Sequence, residues 1–340
     1  MAGTALVFRL RERIARLPIT SFGGITENFW LQAGGVDFNW LGRGATLGAF
    51  YQYYDRHSFK VFVQFPYLFG NRWGFSTTQG QQATLEPAYI GSQTIDVNVD
   101  RWESSLMLRH EVARNYERQS QMYVEAGGGY LKETYMPLTV LPELGIRRFH
   151  KYYVQATFAQ ERLNYYGERI SGVTNTFFVQ NVRTVDQDLP FWKMTHVFRA
   201  YGRLGARGNP AMRIRMGLSK NEDSPFVPFV LDSYLNVRGS GNRVARGTSE
   251  LTFNLEHRHT LRRFSWGALQ GIVFTDVSAW RSGGDPFFGM FDRENVVSFA
   301  GVGGRLHWWR VYNFILRLDY GFSLTRAGER GFVLGVGQYF

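Results

Sequence analysis

A chain of 340 residues with 38 glycines, 16% aromatic residues and no cysteine carries a formal net charge of +11 and a mean hydropathy of −0.26. No apolar run approaches the roughly 18 residues of a membrane-spanning helix, which excludes helical spans, and without cysteine there is neither a thiolate metal site nor a disulfide framework. The positive charge is spread along the chain on the polar face of alternating segments, which argues for a basic interior or basic rims and against a nucleic-acid partner.

In chain order, Met1-Ala-Gly-Thr-Ala-Leu-Val-Phe-Arg-Leu10 lacks the basic start, long apolar centre and cleavage site of a secretory leader, so the numbering is expected to describe a mature chain or the C-terminal part of something longer. From there, apolar and polar residues alternate with the period of two that marks strands. The alternation predicts strands near 16–24, 29–37, 44–54, 58–65, 72–82, 94–112, 121–134, 149–165, 173–184, 190–204, 210–220, 245–259, 265–280, 295–309, 311–325 and 331–340. Within the eleventh, Met212, Ile214, Met216 and Leu218 oppose Arg213, Arg215, Gly217 and Ser219.

A soluble sheet would turn its apolar row to a core; a membrane barrel turns it to lipid and keeps the charged row in the lumen. Sixteen is even, as bacterial single-chain barrels require, and about 21 residues per strand and connection suits strands of roughly 9–11 residues or more with short turns. The predicted fold class is all-β: a sixteen-stranded antiparallel transmembrane β-barrel over residues 14–340, with both termini periplasmic. The last ten residues, Gly331 to Phe340, alternate up to a terminal aromatic, as a closing strand with one face toward lipid would.

The longest connection runs from Asn221 to Ala245 and contains Val237-Arg238-Gly239. Alternation places Glu256 and Arg258, Asp276, and Arg317 and Asp319 on the lumen side of strands twelve, thirteen and fifteen. A guanidinium presents donors in a rigid fork that suits carboxylates. Arg238 lowered into the barrel would bridge Asp276 and Asp319 and pin the loop; the other reading is a solvated, charged lumen.

Four further motifs accompany Val237-Arg238-Gly239. They are Asp37-Phe-Asn39-Trp40-Leu41-Gly42-Arg-Gly44, Phe274-Thr-Asp276-Val-Ser278, Gly301-Val-Gly303-Gly-Arg305-Leu306 and Leu316-Arg-Leu318-Asp319-Tyr-Gly321. In order and spacing the set resembles the BamA/TamA/FhaC superfamily, the outer-membrane assembly and two-partner-secretion barrels. Two positions depart from that pattern: Ser240 stands where the family has Phe or Tyr, and Ser278 where it has Gly.

The resemblance implies a long extracellular loop inserted in the lumen, with Arg238 and Gly239 held to acidic wall residues among Glu256, Asp276 and Asp319. It implies that Phe340 is a sorting signal for the assembly machinery, and that residues 1–13 are a linker or the remnant of the last strand of a periplasmic POTRA domain. It also implies a location in the bacterial outer membrane, with membrane lipid and client polypeptides, or other subunits of an outer-membrane complex, as partners. The function expected is that of an insertase or translocase working through a seam between strands one and sixteen, at Leu17, Ser21, Gly24, Gly335, Val336 and Gly337. The alternatives are an accessory or structural subunit without POTRA domains, and a passive pore.

No phosphate-binding loop, nucleophile elbow or metal motif is present, so no enzymatic activity, cofactor or metal is expected. The nearest metal-like pair, His257-x-His259, continues the lipid-facing row of Leu251, Phe253 and Leu255 and reads as interfacial histidines at the periplasmic rim.

Overall fold

The structure, a computed structural model, describes residues 13–23, 30–54, 56–68, 72–90, 93–115, 119–138, 146–185, 190–220, 228–241, 245–281 and 285–340. Residues 1–12, where the remnant of a preceding domain was expected, and Gly24 of the expected seam lie outside them.

Sixteen antiparallel strands close on themselves. They are β1 (Arg16–Gly23), β2 (Trp30–Trp40), β3 (Ala45–Tyr54), β4 (Arg56–Phe65), β5 (Trp73–Ile90), β6 (Gln93–Asn115), β7 (Ser120–Pro137) and β8 (Arg147–Tyr166). There follow β9 (Arg169–Thr184), β10 (Phe191–Tyr201), β11 (Gly208–Lys220), β12 (Ser249–Arg263), β13 (Gly267–Arg281), β14 (Val296–Trp308), β15 (Ile315–Ser323) and β16 (Arg330–Val336). Each pairs with its chain neighbour, and β1 pairs with β16. Two short strands, Phe229–Leu231 and Ala245–Gly247, pair with each other inside the β11–β12 connection.

The polarity of the wall is inverted relative to a soluble sheet. On β12, Thr252, Asn254, Glu256, Arg258 and Thr260 are buried while Phe253, Leu255 and Leu261 are exposed. Leu106, Leu108, Val154, Val273, Val302 and Leu318 extend the same outward apolar surface. That is the arrangement a bilayer selects, because only the outward row meets hydrocarbon. No described helix is long and apolar enough to cross a membrane; the strands do the crossing.

Aromatic residues mark both edges of the apolar belt. Trp102, Tyr130 and Tyr152 cluster at one edge, with ring centroids 6.1 and 5.1 Å apart, and Trp73 packs on His110 at 4.3 Å at the other. On β6, Trp102 and His110 are separated by a vertical rise of about 20 Å, at a rise of ~3.3 Å per residue and a tilt of ~40°.

Several strand boundaries differ from those expected, by up to eight residues at the end of β5. Strand β5 runs to Ile90 rather than 82, in register with β6 as far as Ile90↔Gln93. Strand β12 begins at Ser249 rather than 245, because Ala245–Gly247 pairs within the loop. Strand β16 ends at Val336, not at 340: Gly337 takes φ +101 and the chain turns inward. Tyr339 and Phe340 are 7% and 8% exposed, so the expected outward terminal aromatic is corrected to one buried in the lumen.

Candidate functional site

The loop enters the lumen as a compact turn. The Asp232 carbonyl accepts from the Asn236 and Val237 amides at 3.0 and 3.1 Å, and an Asp232 carboxylate oxygen accepts from the Tyr234 amide at 2.7 Å. This carries Arg238, fully buried, onto the inner faces of β12 and β13. Its Nε and one terminal nitrogen grip both oxygens of Asp276 at 2.8 and 2.9 Å, and its backbone amide adds a third bond at 3.0 Å. The other terminal nitrogen donates to Glu256 at 2.6 Å. The ring centroids of Phe274 and Tyr339 lie 3.7 and 4.3 Å from the guanidinium carbon, so π-faces meet the cation where no carboxylate does.

Glycines make this approach possible. Gly239 sits at φ +90, a conformation that disfavours L side chains. A Cβ on Gly239 would stand 2.8 Å from the Gly321 carbonyl oxygen of β15, and one on Gly321 would strike the Arg238 carbonyl. The loop tip therefore lies backbone to backbone against β15. Gly301 leaves room for the Phe274 ring, and Gly303 for the Asp319 carboxylate. Four of the five sequence motifs thus meet at one place on the wall; the Asp37–Gly44 motif instead forms the β2–β3 turn, where the Asn39 side chain accepts from the Gly44 amide at 2.9 Å. Gly321→Val is expected to displace the loop tip and destabilise the barrel by about 1–3 kcal/mol. It would show as faster limited proteolysis between residues 228 and 247; a proteolysis pattern like that of the unaltered protein would contradict this packing.

The structure brings Arg238, Gly239, Asp276 and Glu256 together but not Asp319. The Asp319 carboxylate accepts from both terminal nitrogens of Arg305 at 2.7 and 3.1 Å. It stands opposite Gly303 on β14, and Arg305, two residues along the same inward row, reaches it first. The two departures from the family pattern also have plain roles. The Ser240 hydroxyl returns to the Val237 carbonyl at 2.8 Å, and Ser278 bonds Thr252 at 2.8 Å.

Sequence reasoning missed Asn254 and Tyr339. Asn254 donates to Asp276 at 2.7 Å and to the Asn236 carbonyl at 2.8 Å, and accepts from Arg213 at 2.8 Å. Its place in the inward row of Glu256 was the available signal. Tyr339 arrives from the segment beyond Gly337, and its hydroxyl donates to the Ser233 carbonyl at 3.3 Å. The Phe340 backbone oxygen accepts from Arg258 at 2.8 Å.

At the seam, only Phe22↔Leu334 and Gly23↔Val333 join β1 to β16 among the described residues, against eight pairs for β1–β2 and seven for β15–β16. The Phe38 amide donates to the Ala15 carbonyl at 3.0 Å, so the odd-numbered residues of β1 turn their backbone groups to β2 and the even-numbered ones to the seam. Phe22 bounds the seam edge on one side. On the other, the Ile14 amide donates to the Arg310 carbonyl and the Ile14 carbonyl accepts from the Tyr312 amide, both at 2.9 Å. Tyr312 also packs edge-on to Phe38 at 5.2 Å.

Between these anchors the edge groups of Arg16, Pro18 and Thr20 have no register partner on the β16 side among the described residues. Pro18, at the centre, has no N–H to offer. Leu17 and Ser21 face the lumen, buried; Ser21 lies beside Gly335, and Val336 pairs with Leu316. His257 and His259 lie on the outward row with ring centroids 6.1 Å apart, and no group of three or more metal-ligating side chains occurs among the described residues.

No family model matches the sequence, and no curated protein matches it. Solved structures do. BamA from Haemophilus ducreyi, lacking POTRA domains 1–3, aligns with a TM-score of 0.65 at 15% identity over 96% of this chain and 71% of its own. CdiB from Escherichia coli gives 0.66 at 12% identity over 96% and 63%, and CdiB from Acinetobacter baumannii 0.63 at 13% over 94% and 59%. The chain therefore spans less than two thirds of either CdiB structure. Likeness at these identities establishes the fold, and this chain has the barrel fold shared by BamA and CdiB.

Proposed function

We propose that the protein is a bacterial outer-membrane barrel of the insertase or translocase type, which helps a client polypeptide into or across the membrane through the β1–β16 seam. The observation that carries this reading is the seam itself: two register pairs, then an edge where Arg16 and Thr20 have no register partner on β16 among the described residues. An unpaired strand edge is a template for another strand. The outward apolar belt supports a membrane location, and the fold likeness adds an analogy with barrels that handle polypeptides. Arg238 acts as a strut that fixes the loop to the wall, and the motif glycines let it do so.

Insertion of an unfolded barrel client into proteoliposomes tests the reading: protein-bearing vesicles should insert the client several-fold faster than empty ones, and equal rates would contradict it. An accessory subunit would also give equal rates. A passive pore is disfavoured by the loop and the 337–340 segment packed inside the barrel. In planar bilayers the intact protein should show small, flickering conductance, and removal of residues 226–243 should give a larger, steady, anion-preferring pore lined by Arg199, Arg213 and Arg215. A large constant conductance before removal would favour the pore.

A further inference from the structure

The loop does not fill the lumen completely. A cavity of about 540 Å³ remains between the inner faces of β2–β10 and the loop. Trp30, Ser58 and Phe191, near the ends of their strands, place it in the half of the barrel that carries the β11–β12 connection.

Its charges do not cancel. Lys60, Arg101, Lys151, Lys193 and Arg246 face Glu103, Glu133 and Asp232, a surplus of two cations. Glu133 is occupied by Arg101, Lys151 and the Tyr135 hydroxyl, and Glu103 accepts from the Tyr153 hydroxyl at 2.8 Å. Lys60 and Lys193 form no ion pair or hydrogen bond with a described residue; the nearest ring to the Lys193 ammonium, Phe178, is 5.5 Å away. Gln32, Gln52 and Gln82, in the inward rows of β2, β3 and β5, also make no side-chain hydrogen bond within the described residues, and each amide offers donors and an acceptor.

The two lysines stand six strands apart, on β4 and β10, about 29 Å of arc at ~4.8 Å per strand. Lysines on such widely spaced strands of one cavity suit an extended ligand that follows the wall. Carboxylates at two points along it would match the lysines, and peptide groups would match Gln82, between them on β5, and Gln32 and Gln52, beyond Lys60 on β2 and β3. The cavity is too small for a folded domain.

We infer that this cavity binds an extended acidic polypeptide segment, with carboxylates at Lys60 and Lys193 and peptide groups at the glutamine amides. The inference rests on reading the barrel as one that handles polypeptides.

Fluorescence anisotropy of labelled octa-aspartate, with the full chain in lipid nanodiscs, tests it. Octa-aspartate should bind at least about tenfold more tightly than octaglutamine. K60Q/K193Q should weaken octa-aspartate binding by at least about tenfold, since each change removes a charge-assisted hydrogen bond to a carboxylate. K60R/K193R should retain binding, and heat-modifiable gel mobility should show all variants folded. Equal binding of octa-aspartate by the K60Q/K193Q variant and the parent would overturn the inference, as would tighter binding of an acidic oligosaccharide such as oligogalacturonate. Client insertion by the same protein keeps the two readings apart. A barrel that inserts clients but binds no acidic peptide overturns this inference alone. One that binds the peptide but inserts nothing overturns the insertase reading and leaves the cavity assignment standing.

Discussion

Arg238→Ala is expected to leave the barrel closed and folded while releasing the β11–β12 loop, with a loss of about 3–5 kcal/mol, the usual cost of removing one partner from a buried ion pair. The loss falls unevenly. Glu256 keeps Arg258 as a partner, and Arg305 lies 4.0 Å away. Asp276 loses both guanidinium bonds and keeps Asn254 at 2.7 Å; the third bond, from the residue 238 amide, lasts only while the loop stays seated. Asp276 therefore becomes a buried, under-compensated carboxylate.

Two corollaries separate this account from simple loss of packing. Arg238→Lys should not restore the parent, because an ammonium cannot grip both Asp276 oxygens while also reaching Glu256. Removing both partners, R238A with D276A, should cost less than the sum of the single changes, because no carboxylate is then stranded. Limited proteolysis within residues 228–247 and thermal unfolding read both. Loop cleavage at the parent's rate in Arg238→Ala would show that the strut does not hold the loop.

The wall was readable in the sequence wherever its two faces meet different media. On β12 to β15 one row meets hydrocarbon and the other a crowded polar lumen, so alternation separates Leu255 from Glu256 and Leu318 from Asp319 without ambiguity. On β5 to β8 the strands continue past the belt, as the 23 residues of β6 show. There β6 keeps its alternation, with Ile95, Val97 and Val99 packed inside against Tyr135, while on β5 Pro87 stands in the run that extends the strand to Ile90 and reads as a strand breaker.

Period two gives the face of a residue but not its height. Asp276 and Asp319 are both inward, yet the register sets Asp319 against Gly303 and within reach of Arg305, which the sequence pattern alone does not reveal. The end of β16 was misread for a related reason. Gln338, Tyr339 and Phe340 continue the alternation in sequence, but Gly337 permits a turn that delivers Tyr339 to the Arg238 guanidinium. The glycine was visible; the direction of the turn depends on contacts far away in the chain.

The seam account makes the sharpest demand on the molecule. A Cβ built on Gly335 lies 3.6 Å from the Ser21 Cβ, within the ~3.5–4.5 Å range that a disulfide spans. The chain has no native cysteine, so S21C/G335C can form only that bridge within one molecule. The account predicts that the oxidised pair locks β1 to β16 and abolishes client insertion in proteoliposomes, that reduction restores it, and that either single cysteine variant inserts at the parent's rate. A fully cross-linked barrel that goes on inserting its client at the unlocked rate would contradict passage through the seam.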